Sequence, residues 1–370
     1  MIAGLRTLPG EFRWVAALAL MALLASITAF IAGAWVGVPT AEIYFGYIAS
    51  VWDVVPAIAL ICLLTYIIVC AVRRVDHPLA SLRSFLADRV GTPNRAAGTI
   101  GPILLMPLLM GAFGTLKQML PRVSPFGWDN VLANVGPMLL GGLHGWQVTH
   151  YFFGSPMATM ILDRIYTGWI LVLFLAVVLI ALFAAPRQRA RFFLSFGAGW
   201  LLLGVVTAYF FPSVGPCFSA YVGTHSAADY APLMARLHAI DAAGYRLDSV
   251  HWQGVLWKAE IHHQYGFALG VSAMPSMHNA ISFLYVLAAA RSRPLMRLGS
   301  WLFALAILIG SVHLGWHYLI DGLIGWAGMA LIWWGSGAFL AWSGYQPASD
   351  LRLVPQPALP DGADPRLLAA

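Results

Sequence analysis

Eight stretches of this sequence are apolar for long enough to cross a bilayer, near residues 14–37, 54–72, 99–116, 166–185, 192–211, 274–290, 298–316 and 318–342. No other feature constrains the fold as strongly. About 20 apolar residues span the ~30 Å hydrocarbon core, where each segment must satisfy its own backbone polar groups, and that selects helices. Composition agrees: 60% of the 370 residues are hydrophobic and 10% charged, against roughly a quarter charged in a soluble domain. The expectation is an all-α polytopic membrane protein with about eight transmembrane helices.

A net charge of +6 would suit nucleic acid, but the arginines stand in short clusters between apolar runs, as in cytoplasmic loops that meet anionic headgroups. The partner they imply is the bilayer, and no nucleic acid is expected. If the N-terminus lies inside, only Lys117, Arg122, Arg164, Arg236, Arg246 and Lys258 of the 21 Lys and Arg fall outside, in the longer loops. The positive-inside rule then favours N-in and C-in, in an inner or plasma membrane. The first run ends on AGA like a signal-peptidase site, but it exceeds the usual length of a signal's apolar core and reads as a retained helix. Two transmembrane helices and a basic cytoplasmic loop are expected over 1–98, then a six-helix core over 99–342 with extracytoplasmic loops at 117–165 and 212–273. The Pro- and Ala-rich tail, 343–370, reads as disordered and cytoplasmic. HSAADYAPLMARLHAIDAAGYRL, in the second loop, reads as an amphipathic helix lying on the membrane surface. Cys62, Cys70 and Cys217 are too few for a disulfide framework.

The chemistry collects on the outer side. GSVHLGWHYLID (310–321) repeats a titratable residue every fourth position, at His313, His317 and Asp321, which predicts one helical face. A carboxylate on one imidazole nitrogen fixes the tautomer and makes the other nitrogen more basic, which suits a histidine nucleophile. SAMPSMHNA (272–280) places His278 just after Pro275 and Ser276, a helix start whose N–H groups can hold phosphate. Lys117, at the end of the third run, adds a cation. Taken singly, a histidine near a helix end is an interface residue and Lys117 a snorkelling side chain. The convergence of separate segments at one membrane depth is what favours phosphoryl transfer.

PSMH (275–278) and GSVHLGWHYLID resemble the second and third signatures of the type 2 phosphatidic acid phosphatase superfamily, Pro-Ser-Gly-His and Ser-Arg-(five)-His-(three)-Asp. The first signature, Lys-(six)-Arg-Pro, is met by Lys117 followed by Ser124-Pro125, so the lysine matches and the arginine does not. Ser311 stands where the third signature has arginine, and Met277 where the second has glycine. Together with KQMLPRVSPFGWD and FPSVGPCF, the pattern over about 99–342 resembles the branch containing inositol phosphorylceramide synthase and sphingomyelin synthase. The resemblance implies a six-helix phosphatase-type core without a cofactor. His317 would be the nucleophile that becomes phosphorylated, Asp321 its orienting partner and His278 the general acid. Lys117, Arg122 and the backbone at Ser276 are the candidates for phosphate binding.

The expected activity is transfer of a phospho-headgroup from a lipid phosphate or phospholipid to a hydroxyl acceptor (lipid, polyol or water) at the extracytoplasmic face. The alternative within the same chemistry is hydrolysis of a phosphomonoester or isoprenoid diphosphate. A rival class is a transporter that uses the His/Asp/Lys set as a proton relay. His313 is expected to be an accessory packing residue at the mouth of the site. A metal site built on His313, with His262 and His263 added, ranks second, since the family needs no metal.

Overall fold

The structure, a computed structural model, describes Leu8 and residues 10–346. The tail beyond 346, expected to be disordered, lies outside the described residues. Those residues form helices and no strands, as an all-α polytopic membrane protein requires. Six helical segments are long and apolar enough to cross a membrane: Gly10–Val36, Pro93–Val123, Pro156–Phe183, Pro186–Phe210, Pro294–His313 and Leu319–Trp342. The shorter apolar helices Pro56–Val72 and Met277–Ala289 answer to the second and sixth runs.

In chain order the helices are α1 (Gly10–Val36), α2 (Thr40–Val72), α3 (Pro78–Val90), α4 (Pro93–Val123), α5 (Asp129–Leu139), α6 (Gly145–Phe153), α7 (Pro156–Thr167), α8 (Trp169–Phe183), α9 (Pro186–Leu201), α10 (Ala227–Ile240), α11 (Asp248–Ile261), α12 (Met277–Ala289), α13 (Pro294–His313) and α14 (Leu319–Trp342). α9 continues through a π-helical turn, Leu202–Thr207. The third run, interrupted in sequence by Pro102 and Pro107, is one unbroken helix. Neighbouring helices can re-satisfy the carbonyls that prolines leave free in a membrane.

α1 and α2 both pack on α4, α12 lies against α13 and α14, and α9 joins the halves by touching α1 and α14. Lipid tails are as apolar as leucine, so helix contact depends on close packing, which small residues permit. α1 accordingly buries Ala22, Ala25, Ala29 and Gly33 along one stripe. On α4, Gly114 receives the Tyr47 ring of α2, and a Cβ there would collide with Tyr47 Cε2. At the far end from the loops, a buried Glu11–Arg189 ion pair (3.1 Å) fastens α1 to α9, with Tyr345 donating to the same carboxylate at 2.6 Å.

The second long loop differs from expectation. α10 covers most of HSAADYAPLMARLHAIDAAGYRL, but its apolar face (Tyr230, Leu233, Leu237 and Ile240) is buried in the protein core and not in the membrane surface. The Tyr230 ring also packs edge-on against Tyr318, at 5.4 Å. Amphipathicity marks a face that must be covered without saying by what.

Candidate functional site

The helix expected to carry His313, His317 and Asp321 on one face is two helices. α13 ends at His313, Gly315 takes φ +74°, and α14 starts at Leu319. A glycine in the left-handed region just past a helix end is a common stop. His317 therefore sits in a link, and Asp321 is at the third position of α14. The two still meet, with His317 Nδ1 and Asp321 Oδ2 3.5 Å apart, because the Tyr318 N–H donates to the same oxygen at 3.0 Å and holds the carboxylate facing back. The contact is longer than a hydrogen bond, as catalytic contacts often are before substrate binds.

The link is held from several sides. The N–H groups of Trp316 and His317 both donate to the Ser311 carbonyl, at 3.0 and 3.1 Å. Cys217 N–H donates to Gly315 O at 2.9 Å, and Gln253 Nε2 to Leu314 O at 2.9 Å. Trp316 Nε1 donates to Ser249 Oγ at 3.0 Å, while the Ser249 N–H is fixed by Asp163 at 2.9 Å. Asp129 accepts from Val214 N–H (3.1 Å), Gly215 N–H (2.9 Å) and Tyr318 O–H (3.0 Å), which ties FPSVGPCF to the residue beside His317. Burial pushes the Asp129 carboxyl up, and the hydrogen bonds it accepts oppose that.

His278 opens α12, where Ser276 caps the helix by accepting from Asn279 N–H at 3.5 Å. Its ring stacks on Tyr166 (4.7 Å between centroids) and tilts against Trp169 (4.1 Å). The rings of His278 and His317 are 6.4 Å apart. Among the described residues, the N–H groups of Met277 and His278 donate to no protein acceptor, as the first N–H groups of a helix do when left free for an anion.

Lys117, His278 and His317 all line one cavity of about 480 Å³ whose walls are otherwise mainly apolar. They are its only basic side chains among the described residues, and Lys117 has no hydrogen-bond or ion-pair partner there. Asp321 is fully buried behind His317 and does not itself line the cavity. The arrangement sets a cation, free N–H groups and a carboxylate-backed imidazole around one space, which suits an anionic phosphate and a nucleophile aimed at it.

Other expected site residues lie elsewhere. Arg122 is outside the cavity; its guanidinium lies 5.1 Å from the Tyr265 ring centre and lines a small recess with Glu260 and His263. The Ser276 N–H is taken by Asp321 O at 3.1 Å, and its hydroxyl accepts from Asn279 Nδ2 at 3.0 Å. Asn279 Nδ2 also donates to Ser311 Oγ at 3.1 Å, so Ser311 joins a buried polar network and not the cavity wall. His313 is fully buried, pairs with Thr159 Oγ1 at 2.9 Å and stacks on His150 at 3.8 Å, away from His317. Among the described residues, no three His, Cys, Asp or Glu side chains group as metal ligands.

Sequence reasoning missed Tyr166, Trp169, Asn279 and Asp129. Asn279 adjoins His278 and Asp129 stands in the quoted GWDN, so adjacency was a usable signal for both. Tyr166 and Trp169 had none, because they meet His278 only through tertiary packing.

Fold and cavity together define a helical integral membrane protein with a polar pocket set at one end of an apolar one. The chain matches the model of the PAP2 superfamily over residues 137–335, more than half its length, and belongs to that superfamily. No curated protein and no solved structure matches it. Membership makes it a phosphatase- or phosphotransferase-type lipid enzyme with lipid phosphates in the membrane as substrates. The matched segment contains His278, His317 and Asp321 and begins after Lys117 and Arg122.

Proposed function

We propose that the protein transfers a phospho-headgroup from a membrane phospholipid to a lipid or polyol hydroxyl, through a phosphohistidine on His317, at the extracytoplasmic face. The observation that carries this reading is the convergence of Lys117, His278 and His317 on one otherwise apolar cavity. The His317 Nδ1 faces Asp321, which leaves Nε2 as the nucleophile. Nε2 attacks phosphorus, the bond to the leaving oxygen breaks, and His278 as general acid gives that oxygen a proton. Lys117 and the N–H groups of Met277 and His278 hold the equatorial oxygens. The acceptor hydroxyl then gives its proton to His278 and displaces the histidine. Water as acceptor would make the same site a phosphatase.

The cation supply supports a diester. A phosphomonoester carries up to two negative charges near neutral pH, whereas a diester carries one. Ser311 and Ser124, which stand where the family has arginine, contribute no cation, and Arg122 lies outside the cavity. Sidedness is supported by the Lys and Arg distribution and by the placing of Lys117, His278 and His317 at the end of the bundle that carries both long loops. The test is a lipid-panel assay on purified protein that reads free phosphate and new phospholipid together. New phospholipid in excess over free phosphate is expected. Ready release of phosphate from phosphatidic acid, without headgroup exchange, would contradict the transferase reading, and vesicle proton flux without turnover would favour the relay.

A further inference from the structure

The cavity is much longer than its polar end requires. From Lys117 it follows α4 past Phe113, Met110 and Met106 to Ile103, a descent of about 21 Å at 1.5 Å per residue. Along α2 it runs from Tyr47 to Ile58, about 17 Å, and along α8 from Trp169 to Val178, about 14 Å. These three depths bracket one leaflet of a hydrocarbon core ~30 Å thick. Two hydroxyls in this stretch are already bonded within their own helices: Ser50 Oγ donates to Tyr47 O and Thr167 Oγ1 to Asp163 O, each at 2.8 Å. The long arm is therefore apolar in effect as well as in composition.

Its shape points sideways. α2 packs along α4 but scarcely meets α8, so the arm is weakly closed between α2 and α8. Ile170 of α8 both lines the cavity and is exposed. α2 lies outside the segment that matches the superfamily, residues 137–335, as does α4. Val54 and Ile58 are the last residues along α2 that line the arm. An apolar slot of this depth that ends at a cation fits a single unbranched hydrocarbon chain attached to a phosphate.

We propose that the long arm holds one hydrocarbon chain of the substrate lipid, admitted from the bilayer between α2 and α8, and that Val54 and Ile58 set the chain length accepted. The position of the headgroup rests on the phosphotransfer reading above, whereas the chain subsite rests on the cavity alone. The test uses the full-length protein in lipid nanodiscs with hexadecyl phosphocholine carrying a terminal diazirine. Irradiation should label α2 near residues 54–58 or α4 near 103–107. Octyl and hexadecyl phosphate are then compared as competitors of labelling. In Val54→Trp, or in Val54→Phe if the larger side chain prevents folding, hexadecyl phosphate should weaken at least tenfold more than octyl phosphate. Leu64→Trp, on α2 below the cavity, should leave the ratio unchanged. Label spread over the lipid-facing surface, or parallel loss of both competitors, would overturn the proposal. Since labelling needs no turnover, label on α2 in a protein that turns over no lipid phosphate would keep the subsite and remove the phosphotransfer reading. Turnover with label elsewhere would do the reverse.

Discussion

Asp129 ties the link that carries His317 to the FPSVGPCF segment, and its replacement gives a stability change that follows from three contacts. Its carboxylate is 1% exposed and accepts Val214 N–H, Gly215 N–H and Tyr318 O–H at 3.1, 2.9 and 3.0 Å. Asp129→Asn keeps one oxygen for Gly215 and Tyr318 but turns an amide N–H₂ toward the Val214 N–H, so a buried donor loses its acceptor. A hydrogen bond to a charged group contributes about 1.5–3 kcal/mol, and an orphaned buried donor costs about 1–3 kcal/mol. The carboxylate is itself penalised by burial, so we place Asp129→Asn at about 2 kcal/mol. Asp129→Ala orphans all three donors and should cost about 4 kcal/mol, near the upper limit for a single substitution. At ~2 °C per kcal/mol, thermal unfolding in detergent should shift down by roughly 4 °C and 8 °C. Tyr318→Phe removes one of the same bonds, so its cost should fall short of additivity with Asp129→Ala by at least about 0.5 kcal/mol. Because Tyr318 adjoins His317, turnover should fall with stability in both Asp129 variants. Unchanged melting and turnover in Asp129→Asn would refute the reasoning.

Three further outcomes follow from the same geometry. Lys117→Met should lower kcat/KM by about 10²–10³, the usual loss for one oxyanion-stabilising donor, while Arg122→Gln should change it by less than about threefold, as expected of a charge outside the cavity; equal losses in steady-state assays would contradict the separation of the two. Acidification from pH 7.5 to 5.5 should lower the melting temperature, because burial holds His150 below its ordinary 6.5, with Arg236 acting in the same direction. The unfolded state then binds protons first as pH falls, so stability is present above about 6.5 and lost below it; His150→Gln should flatten the profile, and a melting temperature that rises on acidification would contradict this. EDTA should leave turnover intact, since the His313 ring is engaged by Thr159 and His150; activity lost to EDTA and restored by zinc would reverse that assignment.

The sequence made the spans legible because a bilayer forces apolar length on every crossing segment, and their ends moved by only a few residues except where α2, α4 and the segments Pro156–Phe183 and Pro186–Phe210 extend past the oily core. The pairing of His317 with Asp321 was legible from spacing, but its cause was not. A four-residue interval describes a helical turn and also a link feeding a helix cap, and only Gly315 marked the difference. The role of α10 was illegible for a related reason, since its apolar face fits bilayer and protein equally well. Arg122 looked like a phosphate ligand because it lies five residues from Lys117, yet on a helix that interval turns it toward Tyr265 and out of the cavity. The aromatic clamp of Tyr166 and Trp169 on His278 joins residues more than a hundred positions apart, and no local pattern encodes such a contact.

The central claim is that phosphorus passes through His317. Protein mixed with a lipid carrying labelled phosphorus and quenched in base within the first turnover should hold an acid-labile, base-stable label on the peptide containing His317, and none in His317→Ala. Label on another residue, or wild-type turnover by His317→Ala, would contradict the account.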